Sequence, residues 1–296
     1  MVSVLVTGAS SLPGFRTAEL LSLRGFKVLA GFHSRKENLN CEPLMLDVRD
    51  VNALSKIFER YKPRIVIHAA AYGDVDGCEK DREKAWEVNV IGSINVMKLA
   101  AKYSEYVIYI STDYVFDGER GGYSEDDPPN PVNYYGLTKL CGEAVFKSST
   151  IPAAIVRCSS IYGLGPGRMN FAKYIIKELS EGREVKALID QFTTPTQASL
   201  LAEAIAELIE KRLEGVFHIV GERTSRYDFA LKIAEALNLP KNLIKGIKIE
   251  DMKWYAKRPV DSSLDCRLTR SRLKTDFHTS TKALNILKEE HRKFID

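Results

Sequence analysis

The sequence predicts an α/β chain: a doubly wound parallel sheet followed by a smaller C-terminal α/β lobe. Three observations predict it. Over residues 1–160, short apolar runs alternate with helical patterns, the rhythm of a parallel sheet with crossover helices. A loop bounded by glycines joins the first strand pattern to the first helix pattern. Beyond residue 160 the rhythm loosens without an internal repeat. Residues 161–296 therefore read as a smaller substrate lobe over the cleft, with some elements returning to the first sheet.

The elements follow in order. Val2–Thr7 is a strand, and Phe15–Leu23 a helix closed by Gly25. Lys27–Phe32 and Leu44–Leu46 are the next strands. Asp50 caps a helix whose apolar face is Val51, Leu54, Ile57, Phe58 and Tyr61. Arg64–Ala70 is the fourth strand, followed by helix from Glu79 to Tyr103. Within it, Glu79-Lys80-Asp81-Arg82-Glu83-Lys84 reads as a solvated face. Tyr106–Ile110 is the fifth strand. The loop Gly118–Pro131 is either a substrate lid or a plain surface loop. Helix from Asn133 to Lys147 and strand Ala153–Arg157 complete the first part. In the second part, helices are expected at Phe171–Leu179, Ala198–Lys211, Tyr227–Leu237 and Thr281–Glu290. Strands are expected at Val185–Ile189 and Val216–Val220. Leu201, Ile205, Leu208 and Ile209 form a core stripe on the second of these helices.

Composition excludes several classes. No stretch approaches the ~20 apolar residues of a membrane helix. Met1 opens directly into Val2-Ser3-Val4-Leu5-Val6 without a basic leader, which predicts a cytoplasmic protein. The net charge is +4, and the densest basic region is Arg267, Arg270, Arg272 and Lys274. Nucleic acid is not the expected partner of so small a patch. The five cysteines are widely spaced with no C-x-x-C, as in a reducing compartment. The five histidines show no metal-ligand spacing, and no metal is expected.

The loop after the first strand reads Gly8-Ala9-Ser10-Ser11-Leu12-Pro13-Gly14. Between a strand and a helix, such a loop suits a dinucleotide pyrophosphate, which needs a tight turn, close backbone approach and a helix N-terminus. The fold expected is thus a Rossmann domain, with Gly8, Ser10, Ser11, Leu12 and Gly14 against the phosphates. Ser11 replaces the usual middle glycine. Strand two ends Gly31-Phe32-His33-Ser34-Arg35-Lys36, without the carboxylate that bonds an NAD ribose. Ser34 and Arg35 suit a 2′-phosphate, unless this is a solvated loop. The expected cofactor is NADP(H), with NAD(H) as the alternative. Asp47, Val48, Ala69, Ala70 and Ala71 lie at carboxyl ends of strands, where adenine and ribose would pass. Asp47 either accepts a bond from the adenine amino group or caps its loop.

Tyr135-Gly136-Leu137-Thr138-Lys139 places a phenol and an ammonium one turn apart on one helix face. The ammonium favours the phenolate, and Lys139 can also hold the nicotinamide ribose. Upstream, Ser111-Thr112-Asp113 closes the fifth strand, where Ser111 faces the cofactor and Thr112 hydrogen-bonds a substrate carbonyl. The expected chemistry is hydride from nicotinamide to a ketone, with Tyr135 donating the proton, Thr112 orienting the oxygen and Lys139 tuning Tyr135.

With these residues assembled, the sequence resembles the dTDP-4-dehydrorhamnose reductase family of extended short-chain dehydrogenases. The resemblance runs through Pro63 to Val75 (PRIVIHAAAYGDV), Ser111 to Phe116 (STDYVF) and Tyr135 to Glu143 (YGLTKLCGE). It continues through Asn170-Phe171-Ala172-Lys173, Asp190-Gln191-Phe192 and Arg258-Pro259. It implies NADPH-dependent reduction of the 4-keto group of a nucleotide-linked deoxysugar, in dTDP-L-rhamnose synthesis, by a homodimer. Thr112, Tyr135 and Lys139 take the catalytic roles. Tyr114, Asn170 and Arg258 lie on the substrate side. Arg258 is either a partner for a nucleotide diphosphate or a surface ion pair. Phe32-His33-Ser34-Arg35 and Arg258 to Cys266 (RPVDSSLDC) also resemble the regulatory beta subunit of methionine adenosyltransferase. That resemblance implies the alternative of a non-catalytic NADP-binding partner protein.

Overall fold

The computed structural model describes residues 2–34, 37 and 39–295. Among them, seven parallel strands form the central sheet: β1 (Ser3–Thr7), β2 (Lys27–Phe32), β3 (Glu42–Met45), β4 (Ile65–His68), β5 (Tyr106–Thr112), β6 (Ala153–Cys158) and β9 (Gly215–His218). Their order is β3-β2-β1-β4-β5-β6-β9. The chain therefore reverses direction across the sheet between β1 and β4, which opens a crevice at the carboxyl ends of those two strands.

Strand alternation builds a core on each face. Val4, Val6, Val28, Ile65, Ile67 and Ile108 face one layer, formed by α1 (Leu12–Leu23) and α8 (Ala198–Lys211). Leu5, Leu29, Val66, Val107 and Tyr109 face the other, where Leu54 and Phe58 of α2 (Val51–Tyr61) and Val96 of α5 (Gly92–Tyr103) pack. Asp50 caps α2 by accepting from the amides of Asn52 and Ala53 at 3.0 and 2.9 Å. Leu201, Ile205, Leu208 and Ile209 of α8 are buried. Both α8 and β9 come from beyond residue 160, so the later chain completes the first sheet.

The expected single helix from Glu79 to Tyr103 is broken into α3 (Val75–Lys80), α4 (Arg82–Trp86), a π turn at Glu87–Ile91 and α5. The π turn aims Asn89 inward, as such bulges do at functional sites. Asn89 accepts from the amide of Tyr72 at 2.7 Å and donates to Thr138 Oγ1 at 2.9 Å, tying the segment after β4 to α6 (Tyr134–Lys147).

The remaining elements form the smaller lobe. α7 (Phe171–Ser180) and α9 (Arg226–Ala236) pack together beside two ribbons: β7 (Val185–Leu188) with β11 (Ile244–Ile247), and β8 (Phe192–Thr193) with β10 (Thr224–Ser225). α10 (Arg267–Arg272) and α11 (Ser280–Ile295) follow. Residues 118–131 are stitched down and form no free lid. Tyr123 stacks on Phe116 at 4.4 Å, its amide bonds Ser263 O, and Glu125 holds the amide and hydroxyl of Thr269. The five cysteines are free.

Candidate active site

The glycine loop forms its turn with the residues present. Gly8 has φ +70°, and a Cβ there would stand 2.6 Å from Ala70 N. A Cβ on Gly14 would stand 2.3 Å from Gly8 O. Both positions exclude a side chain. Ser11 does not: its backbone is extended (φ −82°, ψ 154°) and it is the N-cap of α1. Its hydroxyl accepts from Gly14 N at 3.2 Å and donates to Gly8 O at 2.7 Å. Serine at the middle position thus serves as a preferred cap, closing the same turn.

A cavity of about 290 Å³ opens over this loop. The structure brings Gly8, Ser10, Ser11, Asp47, Val48, Ala69, Ala70 and Ala71 to its wall. Leu12 and Gly14 are buried in the first turn of α1 behind it. Ser34 is exposed past β2, and Arg35 lies outside the described residues. Asp47 is gripped by Arg49 at 2.7 Å and approached by His33 at 3.3 Å. The Arg49 guanidinium holds its carboxyl below the usual carboxylate range.

Sequence reasoning missed His33, Arg49, Tyr72, Lys84 and Val88 on this wall. Lys84 belongs to the hexapeptide read as solvated, yet it sits 4.7 Å from the centre of the Tyr72 ring. Glu79 of the same hexapeptide accepts from the amide of Tyr134, at the start of α6, at 2.9 Å. Alternating charge carries no sign of which residues turn inward at a helix break.

The catalytic candidates meet where β5 ends against α6. Asn133 caps α6 by accepting from Gly136 N at 2.9 Å, which places Tyr135 in the first turn and Lys139 one turn on. Burial pushes the Tyr135 pKa up, against the Thr112 hydroxyl, which favours the phenolate. Lys139 is also buried. Its Nζ donates to Ile110 O at 2.7 Å and lies 4.1 Å from the centre of the Tyr109 ring. Burial pulls its pKa down to about 7. The expected lowering by Lys139 is not found: desolvation raises the Tyr135 pKa, and the group that opposes it is Thr112.

Two further side chains have partners that the sequence did not show. Thr112 Oγ1 donates to Asp113 Oδ1 at 3.0 Å. The Ser111 side chain points away from the cofactor cleft and donates to Glu143 Oε1 at 2.7 Å. Glu143 in turn forms a buried, bidentate pair with Arg157 at 2.8 Å.

Beside Tyr135 opens a second cavity of about 590 Å³. Tyr114, Asn170 and Arg258 all line it. The Tyr114 ring meets Tyr135 edge-on, with centroids 6.1 Å apart. Asn170 is the N-cap of α7, accepting from Lys173 N at 3.1 Å and donating to Gly163 O at 2.9 Å. Arg258 pairs with Asp76 at 2.9 Å and lies 5.3 Å from the Trp254 ring. Phe171, Tyr174, Lys186, Arg226 and Trp254 share the wall and were not singled out from the sequence. The sequence signals there were Tyr114, Arg258 and the Asn170-Phe171 and Asp190-Gln191 segments.

Comparison with known proteins decides the family. The RmlD substrate binding domain matches residues 2–292. The chain belongs to this family. Members and neighbours place it among NAD(P)-dependent oxidoreductases of the sugar-nucleotide reductase and epimerase type. A hypothetical dTDP-4-dehydrorhamnose reductase from Sulfolobus tokodaii is 40% identical, with TM-score 0.84 over 94% of this chain and 97% of that one. The dTDP-4-dehydrorhamnose reductase of Bacillus anthracis, solved in complex with NADP, is 30% identical. Its TM-score is 0.87 over 98% of this chain and 100% of that one. Among curated relatives, the probable low-salt glycan biosynthesis reductase Agl14 of Haloferax volcanii is 33% identical over 88% of each chain. Methionine adenosyltransferase 2 subunit beta of Bos taurus is 32% identical over 92% of this chain and 81% of its own. No described helix is long and apolar enough to cross a membrane.

Proposed function

We propose that this RmlD-family protein reduces the 4-keto group of a nucleotide-linked deoxysugar with NADPH, as a dTDP-4-dehydrorhamnose reductase acting in the cytoplasm in dTDP-L-rhamnose synthesis. The observation that carries the reading is the meeting of Thr112, Tyr135 and Lys139 where β5 ends against α6, with Tyr135 edge-on to Tyr114 on the wall of a cavity lined by cations and aromatic rings.

The glycine loop fits a dinucleotide, because Gly8 and Gly14 leave room where a Cβ would block approach to Ala70 and the turn. Strand β2 ends without a carboxylate, and His33 stands at the cavity wall, which favours a 2′-phosphate over a bare ribose. When bound, the dinucleotide supplies a hydride to the keto carbon. Tyr135 donates the proton that the substrate oxygen takes up. Holding the nicotinamide ribose is the second role of Lys139, whose pKa burial pulls down. Arg258, Arg226 and Lys186 supply positive charge for a diphosphate, and Phe171, Tyr174 and Trp254 supply flat faces for sugar and base. Residues 161–296 supply most of this wall, consistent with a substrate-binding role. A homodimer is the expected assembly.

The test is NADPH oxidation with dTDP-4-keto-6-deoxy-L-mannose by the wild type and Tyr135→Phe. The variant is expected to bind NADPH as the wild type does and to lose turnover by about a hundredfold or more. Full activity in the variant would overturn the assignment. The relatives named as methionine adenosyltransferase beta subunits support a second reading, an NADP-binding regulatory subunit. Tight NADPH binding without turnover on keto-sugars, together with a stable hetero-complex in the native host, would favour that reading.

A further inference from the structure

Asp113 is enclosed in the protein and has no part in the roles above. Among the described residues, its side-chain hydrogen bonds come from hydroxyls. Thr112 donates to Oδ1 at 3.0 Å, and Ser159 and Ser262 donate to Oδ2 at 2.7 and 2.6 Å. These hydroxyls belong to three separate pieces of chain: the end of β5, the segment leaving β6, and the strap that crosses the smaller lobe before α10. The charged and titratable groups facing Asp113 are Arg226 from α9, Cys158 from β6, Tyr135 from α6 and its neighbour Tyr114. A buried carboxylate kept for structure alone normally takes a cation or backbone amides as partners. This one is held by groups that can each pass a proton on.

The hydrogen count at Thr112 ties the direction of the chain to the protonation state of Asp113. Its Oγ1 has one proton and two lone pairs. The proton goes to Asp113 and one lone pair accepts from Tyr114 N at 3.2 Å, with Tyr135 alongside. With that proton donated to an ionised Asp113, Thr112 has only a lone pair left for Tyr135, and the chain runs from Tyr135 to Thr112 to Asp113. The same heavy atoms support the reverse direction when Asp113 carries a proton: Asp113 donates to Thr112, Thr112 to Tyr135, and the Tyr135 proton points out to the substrate.

We propose that Asp113 is a positioning residue acting through Thr112: protonated, it turns this chain towards the substrate and replaces the proton that Tyr135 gives up. The inference rests on the reductase reading. As the substrate oxygen takes the Tyr135 proton, Tyr135 takes the proton of Thr112 and Thr112 takes that of Asp113. Three O–H bonds break and three form. The negative charge ends on Asp113, where three hydroxyls receive it, and a proton from water restores the acid before the next turnover. After transfer Thr112 donates to an ionised Asp113, the bond the structure shows at 3.0 Å. Transfer from a carboxylic acid to a phenolate is downhill on ordinary acidities, about 4 against about 10. Burial raises the Asp113 carboxyl above the usual carboxylate range, against the pull of its three hydroxyls and Arg226, which helps it hold a proton between turnovers.

The experiment compares wild type, Asp113→Asn and Ser262→Ala, each loaded with NADPH. Asp113→Asn keeps the size and shape of the side chain but has no acid proton. Its kcat is expected to fall at least about tenfold, with KM and NADPH affinity nearly unchanged. The decline of kcat with rising pH that marks Asp113 ionisation in the wild type should vanish. Ser262→Ala removes one donor to the carboxylate, which disfavours the charged form, so that decline should move to higher pH. A pH profile for Asp113→Asn identical to wild type would overturn the proposal. So would an unmoved or acid-shifted decline in Ser262→Ala, which decides the matter if the first variant does not fold. If the wild type reduces no nucleotide keto-sugar, the reductase reading fails on its own. The infrared difference between wild type and Asp113→Asn then decides: a carboxylic-acid carbonyl band at neutral pH supports the proton store, and carboxylate bands alone overturn it.

Discussion

At the scale of single residues, the glycine loop separates positions that need glycine from the one that does not. Ser11 caps α1 with its own hydroxyl, so Ser11→Ala removes a helix cap and should lower stability by about 1 kcal/mol. Gly8→Ala differs in kind. Its φ of +70° and the backbone of Ala70 at 2.6 Å mean that the loop must move, at a cost of about 1–3 kcal/mol. That movement falls where the dinucleotide would lie. NADPH titration and thermal melting of the two variants should therefore separate: Ser11→Ala melts earlier but binds, whereas Gly8→Ala loses binding. The loop was legible in the sequence because its chemistry is contiguous. The direction of the Thr112 hydroxyl was not, since it depends on Asp113, Ser159 and Ser262 meeting in space.

At the scale of elements, α3 joins the two sides of the substrate cleft. Asp74, its N-cap, pairs with Arg168 at 3.0 Å, and Asp76, in its first turn, pairs with Arg258 at 2.9 Å. Both arginines come from the later half of the chain. Asp76 also accepts from Ala256 N at 3.0 Å. If Arg258 meets a substrate diphosphate, Asp76 is its competitor. Asp76→Asn keeps an oxygen for both donors but loses the charge, so KM for the nucleotide sugar should fall a few-fold. Arg258→Ala should raise it about tenfold or more, the worth of a charge-assisted hydrogen bond. Steady-state kinetics on the two variants checks both signs, and a parallel rise would refute the competition. Arg258 was named from the sequence, but its partner Asp76 and the Asp74–Arg168 pair were not. The helix was expected to start at Glu79, and the break that makes α3 a separate turn leaves no periodic trace. The two-residue strands β8 and β10 were equally invisible, being too short to show alternation.

At the scale of the molecule, the first sheet was legible because its central strands β1, β4, β5 and β6 are apolar runs buried on both faces, which is how parallel strands read. The smaller lobe was legible only in its longer helices, and the wall of Phe171, Lys186, Arg226 and Trp254 is assembled by packing distant segments together. The same central packing makes stability depend on pH. His68 is enclosed between Thr7 Oγ1 at 2.7 Å and Ser93 Oγ at 3.1 Å, with Tyr109 and Phe146 stacked beside it. Burial, and then the charge of Lys139, pulls its pKa from 6.5 to about 3. His218, buried beside Arg157, is shifted in the same direction. A histidine that stays neutral when folded but takes a proton when unfolded favours the folded state fully above the unfolded value. That contribution is lost as pH falls from 6.5 towards 3, at about 1.4 kcal/mol per pH unit for His68. Denaturant unfolding at several pH values in this window should show the slope. His68→Asn should be less stable throughout, yet its stability should fall less steeply with acid, by about one proton. Parallel pH dependences in wild type and variant would mean that the buried ring does not control the acid limb. The loss would then belong to His218 and the carboxylates whose pKa values are lowered in the folded state, such as Glu143 and Glu207.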